Sequence, residues 1–445
     1  MRVLITGVDG YLGWTLAIHL AARGHEVAGI DNYARRAWVG QMGSQSAIPI
    51  APMAERLSAY ARHLGQNLRF YRGDLTEWDF VWNAYRSFRP EAVVYLGEQP
   101  SAPFSMIDVH HAVMTQTNNV MGTLVTLHAL REVVPDCHLV KLGTMGEYGT
   151  PNLDIPEGWF ELEFRGRRDR ALFPRRANSW YHQSKVHDSH NVEMACRLWG
   201  LRSTDIMQGV VYGTRIPEQQ DEPALATRFD FDQAFGTAIN RFCAQAVIGL
   251  PLSPYGQGRQ KRGFLPLSDS MQCLTLALEN PPRAGEYRVF NQFEDVYDVS
   301  ELAARVQRIA AELGLDVKIH PMENPRTEAE QHYYRPDSQL LRDLGYVPAS
   351  DMDTELRCVL RDLLPHRERI EERKEAQFPD IRWDGSRRRS DYLSRKEADD
   401  SRPTRSEASR PGRSEAQPSE DRTGLPSEGR RPERERIASA KARQS

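Results

Sequence analysis

The chain is 445 residues long and 40% hydrophobic, enough for one large two-part domain or two ordinary ones. Its five cysteines form no CxxC pair, which argues against a disulfide framework or a zinc site, and no apolar run approaches the roughly 20 residues of a membrane span. The first motif starts within a few residues of Met1 and leaves no room for a signal or transit peptide, so a cytoplasmic location is expected. The formal charge of −3 hides an asymmetry: from Arg387 onward 16 Lys/Arg face 11 Asp/Glu, which leaves about −8 on the rest.

Residues Arg2 to Thr6 read as a short buried strand, followed by a glycine-rich turn and an amphipathic helix through Trp14 to Arg23 that stops at Gly24. A second apolar run, Glu26 to Ile30, ends in Asp31. Further strands are expected at Leu68 to Tyr71, Ala92 to Leu96, His138 to Leu142 and Ser203 to Met207, with helical stretches between them. Such alternation predicts a Rossmann-like α/β fold, a doubly wound parallel sheet covered on both faces.

Beyond about Gly209 the alternation gives way to Pro- and Gly-rich connections and helices at Phe231 to Gly249, Leu267 to Glu279, Ser300 to Leu313 and Asp353 to Leu364. The expected organisation is a nucleotide-binding domain over 1–208, rejoined by a segment at about 240–275, with 209–384 mainly a smaller C-terminal substrate-binding lobe. Residues 385–445 are rich in Arg, Ser, Glu and Pro and poor in large apolar residues, a composition expected to stay disordered. A polyampholytic tail of this kind suggests no nucleic-acid role.

Gly7, Gly10 and Gly13 stand as GxxGxxG between the first strand and helix, where missing Cβ atoms let backbone N–H groups approach a pyrophosphate. Asp31, at the end of the second strand, suits a ribose 2′-hydroxyl and repels a 2′-phosphate, so NAD is expected rather than NADP. Arg35 and Arg36 follow within a turn and could accept a phosphate or contact a sugar nucleotide. Asp74, after Gly73, is placed either to meet the adenine or to cap the next helix.

Tyr181 and Lys185 lie four apart in WYHQSKVHDSHNVEMAC, a helical stretch that projects both from one face. An ammonium near a phenol is expected to lower the tyrosine pKa and make it an acid or base for a sugar hydroxyl. Thr144 supplies a strand-end hydroxyl. His182, His187 and His190 do not have metal-site spacing, and no metal is expected.

The glycine turn, the strand-end Thr144 and the YxxxK pair together resemble the extended short-chain dehydrogenase/reductases, the epimerase/dehydratase family that acts on nucleoside-diphosphate sugars. The resemblance covers about residues 1–365. The stretches LGTMGEYGTPNLDIPEG, SAPFSMID, QGVVYG, RVFNQF and NPRTEAEQHYYR are similar to the branch that joins UDP-glucose and sulfite into a sulfonated sugar nucleotide. The resemblance implies NAD contacts from Gly7, Gly10, Tyr11, Leu12, Gly13, Asp31, Asn32, Arg35, Asp74, Leu75, Asn119, Tyr181 and Lys185. It also implies Arg262 and Arg326 against the diphosphate and Gln208 against the sugar or nucleotide, although the family more usually has Asn-Gln where this chain has Met207 and Gln208.

Dehydratases of the family carry Asp-Glu after the Thr, whereas Thr144 is followed by Met145, Gly146 and Glu147. His182 and Glu147 are therefore the expected proton carriers for loss of water, and the segment Ser101 to Ser105 with His182 the expected sulfite contacts. A homodimer built on two long helices per subunit is a further implication. The alternatives are a UDP-glucose 4-epimerase or 4,6-dehydratase and, from another class, an inactive cofactor-binding scaffold.

Overall fold

Strand alternation decides which side chains meet which layer. In β1 (Arg2–Thr6), Val3 and Ile5 enter an apolar cluster with Trp14, Leu16, Met271 and Leu274, while Leu4 points through the other face to Val93, Tyr95, Leu127 and Val192. A strand buried on both faces needs helices on both, and the computed structural model, which describes residues 1–329 and 331–383, supplies them.

β1 is joined by β2 (Glu26–Asp31), β3 (Arg69–Arg72), β4 (Ala92–Tyr95) and β5 (His138–Thr144). A hairpin of β6 (Trp159–Phe164) and β7 (Arg167–Leu172) precedes β8 (Arg202–Gln208) and β9 (Val210–Tyr212); β10 (Lys261–Pro266), β11 (Tyr287–Gln292) and β12 (Asp295–Asp298) follow. The large sheet runs β11-β8-β5-β4-β1-β2-β3, and its pairs are parallel. The order reverses beside β1, which opens a crevice at the strands' carboxyl ends, the place where ligands bind in doubly wound sheets.

β9, β10 and β12 form a second sheet in the order β12-β10-β9. Against it pack helices Ala238–Ile248, Val299–Glu312 and Met352–Leu363 around Phe231, Phe242, Leu302, Val306, Leu356 and Leu360. The return to the large sheet, expected at about 240–275, is made by residues 267–292: helix Leu267–Glu279 covers the β1 face and β11 becomes the edge strand. Among the described residues no helix is long and apolar enough to cross a membrane, and no group of three His, Cys, Asp or Glu side chains could hold a metal. The tail expected to be disordered lies outside the described residues.

Candidate active site

A cavity of about 530 Å³ lies along the carboxyl ends of the strands, between the large sheet and the smaller lobe. At one end are Gly7, Gly10, Tyr11, Leu12 and Gly13. Gly7 sits at φ +71°, and a Cβ there would lie 2.7 Å from the carbonyl oxygen of Leu96; one on Gly13 would lie 2.2 Å from that of Gly7. The turn thus closes tightly only without side chains. Helix Tyr11–Ala22 starts at Gly10 with no side-chain cap, which leaves its positive end to a pyrophosphate.

Asp31 ends β2 on the cavity wall and accepts backbone N–H bonds from Asp9 (2.9 Å) and Tyr33 (2.6 Å). Burial and the nearby Asp9 carboxylate nevertheless push it up to about 6. The two arginines that could have accepted a 2′-phosphate are engaged elsewhere. Arg36 is bidentate to Asp9 (2.6 and 2.7 Å), and Arg35 lies on the Phe235 ring and donates to Asp230 at 2.7 and 3.0 Å. Carboxylate-engaged guanidinium groups beside an Asp31 that no arginine pairs with fit NAD better than NADP.

These values set a pH dependence. Because the folded pKa of Asp31 is raised, its protonation between about 6 and the unfolded value favours the fold, but it removes the acceptor for the ribose hydroxyl. NAD should therefore dissociate several-fold faster at about pH 5 than at about pH 7.5 while far-ultraviolet circular dichroism is unchanged. Equal cofactor retention on gel filtration at both values would remove Asp31 from this role.

Two expected cofactor contacts do not reach the cavity. The Asp74 carboxylate accepts from Thr76 N (2.9 Å), Thr76 Oγ1 (2.7 Å) and Asn32 Nδ2 (2.9 Å); against the upward push of burial, these bonds hold it below the ordinary range. Gly73, Leu75 and Asn32 line the wall around it instead. Asn119, fully buried in a π-helical turn at Thr117–Met121, bonds Gln99 N (2.8 Å), Gln99 O (3.1 Å) and Ser184 Oγ (2.9 Å) and so ties the Gln99 loop to the catalytic helix. Asn118, its neighbour, lines the cavity.

Helix Trp180–Trp199 is capped by Ser179, whose Oγ accepts from His182 N at 3.1 Å. The cap fixes the first turn, and Tyr181, His182 and Lys185 all line the cavity with Thr144. Tyr181 N donates to Ser105 Oγ at 3.0 Å, and Lys185 Nζ donates to the carbonyl of Leu142 at 2.6 Å and pairs with Glu98. Glu98, in the loop after β4, was not foreseen; its only sequence signal was an acid following Leu96-Gly97 just beyond a buried strand.

Burial lowers Lys185 to about 8 against the opposing charges of Asp188 and Asp205. Burial also raises Tyr181 well above its ordinary value, helped by Glu147 and resisted by Lys141 and Arg35. The expected depression of the Tyr181 pKa by Lys185 is therefore not what the residues themselves produce, because the phenol is deeply buried and lies near the Glu147 carboxylate.

Thr144 ends β5, and its Oγ1 accepts from Gly146 N at 3.2 Å. Glu147, expected to carry protons, stays behind the wall. Fully buried, it is held by Arg175 Nη1 (2.9 Å), Ser189 Oγ (3.0 Å), Lys141 Nζ (3.4 Å) and Thr144 N (3.3 Å), and it does not line the cavity. The sequence departure after Thr144 has a steric reason: a Cβ on Gly146 would lie 2.3 Å from His182 Nε2. Glycine makes room for the imidazole beside the Thr144 turn.

His182 accepts or donates through Nδ1 to Ser179 Oγ at 3.0 Å, and burial together with Arg326 and Arg262 pushes it down to about 3. It is a neutral imidazole at working pH, so it offers a ring nitrogen as an acceptor and carries no standing positive charge. Positive charge lines the far end of the cavity instead, on Arg228, Arg241, Arg262 and Arg326.

Ser101 caps helix Ala102–Ser105, accepting from Phe104 N (3.1 Å) and donating to Ala234 O (2.5 Å), and lines the wall between the two ends. Gln208, at the end of β8, donates to Ser270 Oγ at 3.3 Å and also lines the cavity. Arg262, on β10, pairs with Glu328 at 2.8 Å. The cavity thus joins a dinucleotide cradle, a Thr-Tyr-His-Lys cluster and an arginine-rich end.

A family profile described as the NAD dependent epimerase/dehydratase family matches residues 3–291. A UDP-sulfoquinovose synthase from Sulfolobus acidocaldarius is 48% identical over 396 residues, covering 89% of this chain and all of that protein. The chloroplastic UDP-sulfoquinovose synthase of Spinacia oleracea is 45% identical over 382 residues, 86% of this chain and 79% of that protein. In fold, the chain resembles a Thermotoga maritima UDP-glucose 4-epimerase solved with UDP-glucose, at a TM-score of 0.62 and 19% identity over 81% of this chain and 98% of that one. The chain therefore belongs to the NAD dependent epimerase/dehydratase family and, within it, to the UDP-sulfoquinovose synthases.

Proposed function

We propose that the protein converts UDP-glucose and hydrogen sulfite into UDP-sulfoquinovose and water, acting as a cytoplasmic homodimer. The observation that carries the reading is that Thr144, Tyr181, His182 and Lys185 line one cavity between the glycine turn and the arginines Arg262 and Arg326. When bound, NAD supplies a hydride acceptor for the sugar C4 and returns the hydride at the end, so no net redox change occurs. Gly7, Gly10, Gly13 and Asp31 would hold it.

The chain's own groups carry the protons. Tyr181 takes the O4 proton and Thr144 holds that oxygen; the positive charge of bound NAD would add to that of Lys185 in making a deeply buried phenol ionisable. The resulting 4-ketone acidifies C5–H, and the neutral His182 is the base in reach. Departure of the C5 proton and the C6 hydroxyl as water leaves an enone; hydrogen sulfite adds through sulfur at C6 and a proton returns to C5. A buried cavity keeps the enone from solvent in the meantime.

Arg262 and Arg326 suit the diphosphate by charge and fork geometry. Exposed Val109, Val113, Met121, Trp180, Met194 and Leu198 on the helical stretch from Val109 and on Trp180–Trp199 support the dimer, which a solution mass at micromolar concentration checks.

Labelled substrate tests the sequence of bond changes. UDP-glucose carrying deuterium at C4 and heavy oxygen at C6 should give a product that keeps the deuterium and has lost the heavy oxygen. Retention of the C6 oxygen with inversion at C4 would mean a 4-epimerase.

A further inference from the structure

Five arginines line the cavity: Arg35, Arg228, Arg241, Arg262 and Arg326. Four of them each donate to protein oxygens, although Arg228 Nη1 is buried without a partner among the described residues. Arg35 and Arg228 are bidentate to Asp230, Arg262 donates to Glu328, and Arg241 donates to Tyr255 Oη (2.6 Å) and the carbonyl of Gln377 (3.3 Å). Arg326 is held differently. Its guanidinium carbon lies 5.2 Å from the centroid of the Trp383 ring, and its buried Nε has no hydrogen-bond partner among the described residues. An aromatic ring fixes a guanidinium without consuming its donors, whereas a carboxylate consumes them.

Trp383 reaches this position on a strap that follows the turn Lys374–Gln377 and lies beyond the residues matched by the family profile. The strap is fastened at both ends of the cavity. Asp380 N donates to Gln233 Oε1 and Gln233 Nε2 to Asp380 Oδ1, both at 2.7 Å, and Gln233 is itself a wall residue. Ile381 is buried with Val39, Phe104 and Phe235, on the cofactor side. Arg382 pairs with Glu323 at 2.8 Å, and Trp383 N donates to the carbonyl of Pro325, next to Arg326, at 3.0 Å.

We infer that the strap 378–383 is part of the sugar-nucleotide site, with Trp383 a positioning residue that holds Arg326 ready for the diphosphate. The inference rests on the UDP-sugar reading above. The ring limits the rotamers of a long side chain before ligand arrives, so less ordering remains to be done on binding.

The test is titration of the NAD-loaded full-length enzyme with UDP and, separately, with UDP-glucose. Trp383→Ala should weaken both by about tenfold and equally, since the diphosphate is common to them, with NAD content and melting temperature unchanged; Trp383→Phe should restore most of the loss. A chain ending after Trp383 should bind as the full chain does, and one ending after Pro379 should bind at least as weakly as Trp383→Ala. In an Arg326→Ala background the Trp383→Ala penalty should vanish.

Unchanged UDP affinity in Trp383→Ala overturns the inference, as does a full further tenfold loss in the Arg326→Ala background, which would mean that the ring acts independently of Arg326. If the unaltered enzyme binds neither UDP nor UDP-glucose, it is the UDP-sugar reading that fails.

Discussion

Tyr181→Phe should lower turnover of UDP-glucose by at least about 10³-fold while the protein keeps its fold and its NAD. The substitution removes one hydroxyl and leaves the ring that fills the buried site. The anchoring bond from Tyr181 N to Ser105 Oγ is a backbone bond and survives. The neighbours of Tyr181 in the cluster are engaged otherwise: Lys185 is committed to Leu142 O and Glu98, and His182 stands at the Thr144 turn. Initial rates, bound NAD by absorbance and a thermal melt read the three quantities. Turnover within tenfold of the unaltered enzyme would require another base.

The second large effect is on stability. Glu147 is buried with two cations, Lys141 and Arg175, and its neighbour Asp205 is the only other carboxylate in direct contact with Lys141 among the described residues. Glu147→Ala leaves a guanidinium and an ammonium under-compensated in the interior, a defect of about 3–5 kcal/mol. It also removes the acceptor for Thr144 N, so the turn carrying the Thr144 hydroxyl loosens. A melting temperature lower by on the order of 10 °C is expected, together with reduced turnover. Glu147→Gln, which keeps the shape and one acceptor, should lie between. A fully stable but inactive Glu147→Ala enzyme would instead restore Glu147 to the chemistry.

The order of these effects shows what was readable in advance. Tyr181, Lys185 and Thr144 were legible because a helix period and a strand end fix where such side chains project, and the glycine turn was legible because only glycine permits that close approach. The helix Leu267–Glu279 matched its expected bounds, since its apolar stripe faces one surface. The edge strand Tyr287–Gln292 was not assigned as a strand, because its six residues mix Arg, Asn and Gln with apolar side chains and its membership depends on distant pairing with β8.

Roles that depend on long-range partners were harder to see. Glu147, Asp74 and Asn119 sit beside cavity residues in sequence, yet their side chains serve Arg175, Asn32 and Gln99. The Tyr181 pKa departs from expectation for the same reason: Lys185 is visible four residues away, but the burial that raises the phenol comes from the folded surroundings, and Glu98, which pairs with Lys185, from a loop 87 positions earlier in the chain. His182 is legible as a polar group of the site, but its neutral state is not, because that comes from burial and from Arg326 and Arg262, far along the sequence. Local pattern fixes where a group projects; tertiary neighbours fix its charge.

The most direct test of the central claim uses the enzyme as purified with its NAD, UDP-glucose as the sugar, and mass spectrometry of the products with and without sulfite. The account predicts a product with the mass of UDP-sulfoquinovose that forms only when sulfite is present and needs no added cofactor. Formation of UDP-galactose or a 4-keto-6-deoxy sugar at the same rate in both reactions, with no sulfonated product, would contradict it.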